Sequence, residues 1–141
     1  MSTVLWSNLL IDGKVESDES DHYALYKHAD KLEQLTQKLG LPSFQSACDT
    51  TDLQFNMNDD AELPAGMTST NEVMAQKGQW LTLADGIRML EGLLANIRKD
   101  KVRFGLLSNQ HDEVVEELEE VLAFARKGEG KAQKFNFGVI Q

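Results

Sequence analysis

The stretch 3–11 constrains the fold more than any other part of the chain. Val4, Trp6 and Leu10 alternate with Leu5, Leu9 and Ile11, so an extended run here carries apolar side chains on both faces. Such a strand has to be covered on two sides, which predicts a central position in a sheet rather than an edge. At the other end, Phe135, Phe137 and Val139 alternate with Asn136 and Gly138, the pattern of a terminal strand. Both segments are apolar enough to share one sheet.

Between these ends the apolar spacing turns helical. Asp12-Gly13 marks a tight turn, and Lys14-Val15-Glu16 reads as a short hairpin return. A first helix is expected to begin within Ser17–Asp21, where several capping residues compete, and to end at Gly40 ahead of Pro42. Its stripe is Leu25, Ala29, Leu32, Thr36 and Leu39. Asp52–Asn56 reads as a short strand, 56–70 as a loop rich in turn formers, and Thr70–Lys77 as a short helix. Thr82 opens a long helix with the stripe Leu83, Ile87, Leu90, Leu94 and Ile97. Gly86 and Gly92 inside it each cost about 1 kcal/mol relative to Ala, which points to close packing against another backbone. A third helix spans Asn109 to Lys127, with Val114, Val115, Leu118, Val121, Leu122 and Ala125 on its buried side.

The fold expected from this order is α+β. A small sheet that includes the N- and C-terminal strands is packed by about three amphipathic helices in a two-layer arrangement. The 141 residues suit one domain, and 41% apolar content suits one ordinary core. No apolar run approaches the length of a membrane span, and the N-terminus reads as folded structure rather than a signal peptide. A lone cysteine and the lack of a glycosylation sequon fit a reducing interior, so a cytoplasmic location is expected.

Charge narrows the function classes. The net charge of −9 repels phosphate backbones and anionic lipid, so neither nucleic acid nor membrane is an expected partner. The acids are blocked rather than interspersed. No Lys or Arg falls between Leu39 and Gln76, a stretch that holds Asp49, Asp52, Asp59, Asp60, Glu62 and Glu72. Asp112–Glu120 and Glu16–Asp21 are the other two acidic blocks. Cations gather instead at Arg98, Lys99, Lys101 and Arg103.

Specific chemistry is harder to find. Cys48 could act as a nucleophile only with His22, His28 or His111 brought to it by the fold, and the commoner role of such a cysteine is packing. His22 and His28 do not share a helical face, and the sequence lacks CxxC, HExxH and His-rich tracts, so no metal is expected. Setting Asp52 as the first position of a calcium loop puts Met57 at the turn glycine and Leu63 at the final glutamate; both fail. Gly128-Glu129-Gly130-Lys131 follows a helix and is succeeded by Ala132, unlike a phosphate loop. No cofactor is expected.

Two readings of different kind remain. The first is a non-catalytic acidic binding or regulatory protein, of inhibitor or immunity type, for a basic protein partner. In it Asp59, Asp60 and Glu62 form a mobile recognition loop, and Glu113, Glu116, Glu117 and Glu120 form a fixed acidic face. Tyr23 and Tyr26, beside acids, are contact-surface candidates. The second is a small enzyme built around Cys48 and a histidine. A homo-oligomer formed through leftover apolar helix surface is a third, blander outcome.

Overall fold

The computed structural model describes residues 2–58 and 60–141; Asp59 lies outside the described residues. Val4–Ile11 forms β1, and the Asp12-Gly13 turn, with φ of 52° and 77°, returns the chain into β2 (Lys14–His22). Positive φ at both turn residues matches the twist of the strands it joins, and Gly tolerates it freely. The remaining elements are α1 (Tyr23–Lys27), α2 (Ala29–Leu39), β3 (Cys48–Asp49), α3 (Thr51–Met57), α4 (Thr70–Lys77), β4 (Leu81–Thr82), α5 (Leu83–Asp100), α6 (His111–Lys127) and β5 (Lys134–Ile140).

The sheet order is β2-β1-β5-β3, with β4 also paired to β5. The N- and C-terminal strands lie side by side and antiparallel, from Val4 opposite Ile140 to Leu10 opposite Lys134. β1 is central, as its two apolar faces require. The architecture is α+β, with a small, mainly antiparallel sheet and, among the described residues, six α-helices.

Leu5 and Leu9 of β1, with Phe135, Phe137 and Val139 of β5, point into the main core. There they meet Met89, Leu90, Leu93 and Ile97 of α5, and Val114, Leu118, Val121 and Ala125 of α6. Most of the helical stripe expected from spacing is buried, but Ala29, Ile87, Val115 and Leu122 are only partly so and Leu39 stays 36% exposed. Leu35, Met89 and Leu93, outside the expected stripes, go inside. Thr82 caps α5 by accepting from the Asp85 amide at 3.1 Å. Gly86 and Gly92 sit where a Cβ would strike Phe135 and Leu41, at 2.8 Å and 2.6 Å. Close packing is thus the reason for both glycines, but the neighbours are side chains rather than a second backbone.

The segment after the first turn departs from expectation. Ser17–Asp21 does not start a helix; it continues β2, with Ser17 opposite Asn8, Asp18 opposite Ser7 and His22 opposite Leu5. Capping preference is a local effect, and here the ladder offered by the open edge of β1 outweighs it. The acids then sit on an edge strand, where charge discourages pairing with other chains. The helix that follows is divided at His28, whose Nε2 lies 2.8 Å from Gln110 Oε1 and whose ring packs edge-on against Phe104.

Asp52–Asn56 is likewise helical, within α3, rather than a strand. Asp49 Oδ2 accepts from the Thr51 amide at 3.0 Å at the start of this turn, and the Gln54 amide bonds to Thr50 O. α3 and α4 pack on each other, α3 against β5 with its Leu53 reaching the main core and α4 against β2 on the sheet face away from that core, where Val4, Leu10, Val73 and Met74 are buried. This second cover is small.

Candidate functional site: an acidic cleft on the second sheet face

Alternation places Trp6 and Asn8 of β1 on the side opposite Leu5 and Leu9. From β5 the same face receives Asn136, Gly138 and Ile140, which stand opposite Asn8, Trp6 and Val4. Asn8 is 2% exposed and Asn136 is fully buried, so their amides have to be bonded inside the protein. They are. Asn8 Nδ2 donates to Asn136 Oδ1 at 3.0 Å, Asn136 Nδ2 donates to Gln79 O at 2.8 Å, and Ser17 Oγ donates to Asn8 Oδ1 at 2.6 Å. Gly138 leaves the space these amides use, since a Cβ there would stand 3.0 Å from Asn8 Nδ2.

Above this floor lies a cavity of about 340 Å³, lined by Trp6, Asn8, Ser17, Glu19, Asp52, Asn71, Met74 and Ile140. Each wall comes from a different element. β2 supplies Ser17 and Glu19, α3 supplies Asp52, and α4 supplies Asn71 and Met74. Trp6 is held by its indole N–H, which donates to Asp21 Oδ1 at 2.7 Å. Asp52 accepts from Thr70 Oγ1 at 2.8 Å and from Asn56 Nδ2 at 3.1 Å, tying the start of α4 to α3. Two carboxylates and one indole therefore border a concave site, and among the described residues no Lys, Arg or His lines it. An aromatic ring beside carboxylates, here Asp52 held by its two bonds and Glu19 exposed at the rim, is the chemistry that holds an organic cation, such as an ammonium or a guanidinium.

The acidic residues expected to meet a partner fall on different sides of the sheet. Asp60 and Glu62 are exposed on the connection between α3 and α4, the helices that wall the cleft. The α6 acids belong to the helical layer. Glu113 and Glu116 are exposed there, but Glu117 is turned inward, accepting from the Ala24 and Leu25 amides at 3.2 Å and 3.0 Å. It caps α1. Burial raises its carboxyl above the usual range, although those two amide bonds and nearby His22 pull the other way. Glu120 Oε2 lies 3.4 Å from Nε2 of the fully buried His22. The α6 acids are thus partly committed to holding α1 and β2.

Cys48 does not meet a histidine. Its Sγ donates weakly to Phe44 O at 3.5 Å. Burial, with Glu33 and Asp49 nearby, pushes the thiol up to about 12, so the nucleophilic thiolate is suppressed at neutral pH. The histidines are engaged elsewhere: His22 with Leu5 O, His28 with Gln110, and His111 with Val102 O. Among the described residues no cluster of three or more His, Cys, Asp or Glu is arranged to hold a metal. No helix among them is long and apolar enough to cross a membrane.

Sequence reasoning placed Trp6 on an apolar face of a covered strand and Glu19 at a helix start, and so missed the cleft. The readable sign was Asn8 and Asn136, one amide inside each of two otherwise apolar strands. No protein-family model, curated protein or solved structure matches this chain.

Proposed function

We propose that this chain is a non-catalytic binding protein that takes a basic side chain of a protein partner into the cleft beside Trp6. The observation that carries this reading is the pairing of Glu19 and Asp52 with an indole around a cavity of about 340 Å³ that no cation lines among the described residues. Asp60 and Glu62, on the adjoining connection, extend the negative field towards an approaching partner. Such a field speeds encounter, while the few contacts inside the concavity set lifetime. The net charge of −9 works in the same direction and against nucleic acid. The high pKa of the Cys48 thiol supports a binding role over a cysteine-based enzyme.

The test is titration calorimetry with an arginine-rich peptide at low and high ionic strength. Wild type should bind it, with affinity falling as salt rises. Asp52→Asn and Glu19→Gln should each weaken binding about tenfold or more. Wild-type affinity retained in both variants would refute the cleft as the site.

A further inference from the structure

The most exposed large apolar side chains among the described residues are neighbours. Leu106 is 95% exposed and Leu107 102%, at the tip of the connection between α5 and α6. This tip is not a loose strand of chain. Arg103 folds over it, donating from Nε to Gly105 O at 2.8 Å and from Nη2 to Leu106 O at 2.9 Å. Asn109 Oδ1 accepts from the Phe104 and His111 amides at 2.9 Å and 3.1 Å, and the Gln110 amide closes the base on Phe104 O at 2.7 Å. Gly105, at φ 106°, takes a backbone conformation that a side chain would oppose. Two leucines are therefore presented to solvent on a braced support, where burial against a partner incurs little ordering cost.

The surroundings of the tip are basic. Lys99, Lys101 and Arg103 are exposed beside it, as is Lys31, which reaches across from α2 to bond to Arg103 O. Asp100 and Asp112 are the acids closest in sequence, so the balance stays positive in a chain of net charge −9.

A complementary surface adjoins it. α1 packs along α6, with Glu117 at the start of α1 and His28, just past its end, bonded to Gln110 at the start of α6. On this layer Tyr23 and Tyr26 are 45% and 41% exposed, and Glu113 and Glu116 are exposed on α6. His28 thereby brings the end of α1, with Tyr26, to the start of α6 where the tip is anchored, and Glu113 follows within the first turn of α6. Tyr23 and Glu116 extend the same pairing of rings and carboxylates further along the two helices. A two-fold axis brings surface i onto surface j and j onto i, so adjacent complementary patches satisfy each other twice in a closed dimer.

We propose that the Leu106-Leu107 tip docks on the Tyr23, Tyr26, Glu113 and Glu116 face of a second copy of this chain, giving a symmetric dimer. Tip-to-tip contact would set basic collars against each other, and an anionic lipid surface would meet the repulsion of the rest of the chain. The dimer leaves the cleft on the other sheet face free, so this inference is independent of the proposed function.

Sedimentation of the full chain tests it. Wild type should run at twice the monomer mass at high protein concentration and low salt, and shift towards monomer in high salt. Leu106→Ser/Leu107→Ser should weaken association about tenfold or more, with an unchanged melting curve at dilutions where wild type is monomeric too, because both side chains are exposed. Lys99→Glu/Lys101→Glu and Glu113→Lys/Glu116→Lys should each be monomeric alone, yet dimerise when mixed, because each then meets the opposite charge at both contacts. A monomeric wild type overturns the proposal, and so does a dimer indifferent to the leucines. Mixed variants that stay apart overturn it too. Leucine-dependent capture of a monomeric wild type on phosphatidylserine vesicles would assign the tip to a membrane instead. None of these substitutions touches the cleft, so their failure leaves peptide binding there unaffected.

Discussion

The two faces of β1 receive different covers, and the difference explains where a site could form. On one face Leu5 and Leu9 lie under long helices with continuous apolar stripes, α5 and α6, and the interior is dry. On the other face the cover is α3 and α4, which together bury only Val73 and Met74 among the described residues. Short polar helices cannot seal a sheet. What they leave is a concavity whose deepest polar groups, Asn8 and Asn136, satisfy each other and whose rim carries carboxylates. The dry face stabilises the fold; the wet face is free to carry specificity.

Substitutions on the two faces should separate these roles. The largest effect is expected on the dry side, where Phe135→Ala opens a cavity beneath Gly86 and should cost about 3–5 kcal/mol in chemical denaturation. On the wet side, Asn8→Val strands Asn136 and Ser17 and should cost about 1–3 kcal/mol by the same measurement. Glu117→Ala removes the acceptor of two amides at the start of α1, a loss of about 1 kcal/mol. Ser7 is fully buried on the dry face, and its Oγ has no partner among the described residues. Ser7→Ala should therefore raise stability by about 1 kcal/mol, the reverse of Asn8→Val on the adjacent position.

The smallest effects concern pH, and here two carboxylates oppose each other. Burial tends to raise the Glu33 pKa, but bonds from the Gln45 amide, Ser43, Gln37 and Thr36 outweigh it and hold the group below the ordinary value. A lowered folded-state pKa stabilises above the unfolded value and is lost as pH falls through the folded one. Glu117 has the raised pKa, so the stability it contributes is present at low pH and is lost as pH rises through the folded value. Glu33→Gln should shrink the stability lost between neutral and mildly acidic pH, and Glu117→Gln should enlarge it. Denaturation midpoints at the two pH values check both signs.

The dry half of this comparison was legible from spacing alone. Val114, Leu118, Val121 and Ala125 announce their shared face because a helix of several turns repeats the signal. The strands at both ends were equally clear, since alternation of apolar residues has one simple reading. What escaped was decided by contact at a distance. Ser17–Asp21 carries capping residues and acids that suit a helix start, yet the free edge of β1 recruits them into β2. Asp52–Asn56 is too short to show a period, and its helix leans on α4 through Thr70. The cleft assembles from five elements, each contributing one or two side chains, so no stretch of sequence contains its pattern. The acidic blocks were visible, but whether Glu117 faces a partner or caps α1 depends on a helix nearly a hundred positions away.

Binding of a cation beside Trp6, as proposed, can be read at the tryptophans themselves. The two indole N–H resonances, of Trp6 and Trp80, provide the most direct view. Trp6 donates to Asp21 at the rim of the cleft, whereas Trp80 donates to Met74 O at the back of α4. On adding an arginine-rich peptide, the Trp6 signal should shift most, and Asp52→Asn should reduce that shift. An unmoved Trp6 indole in the presence of bound peptide would contradict the account.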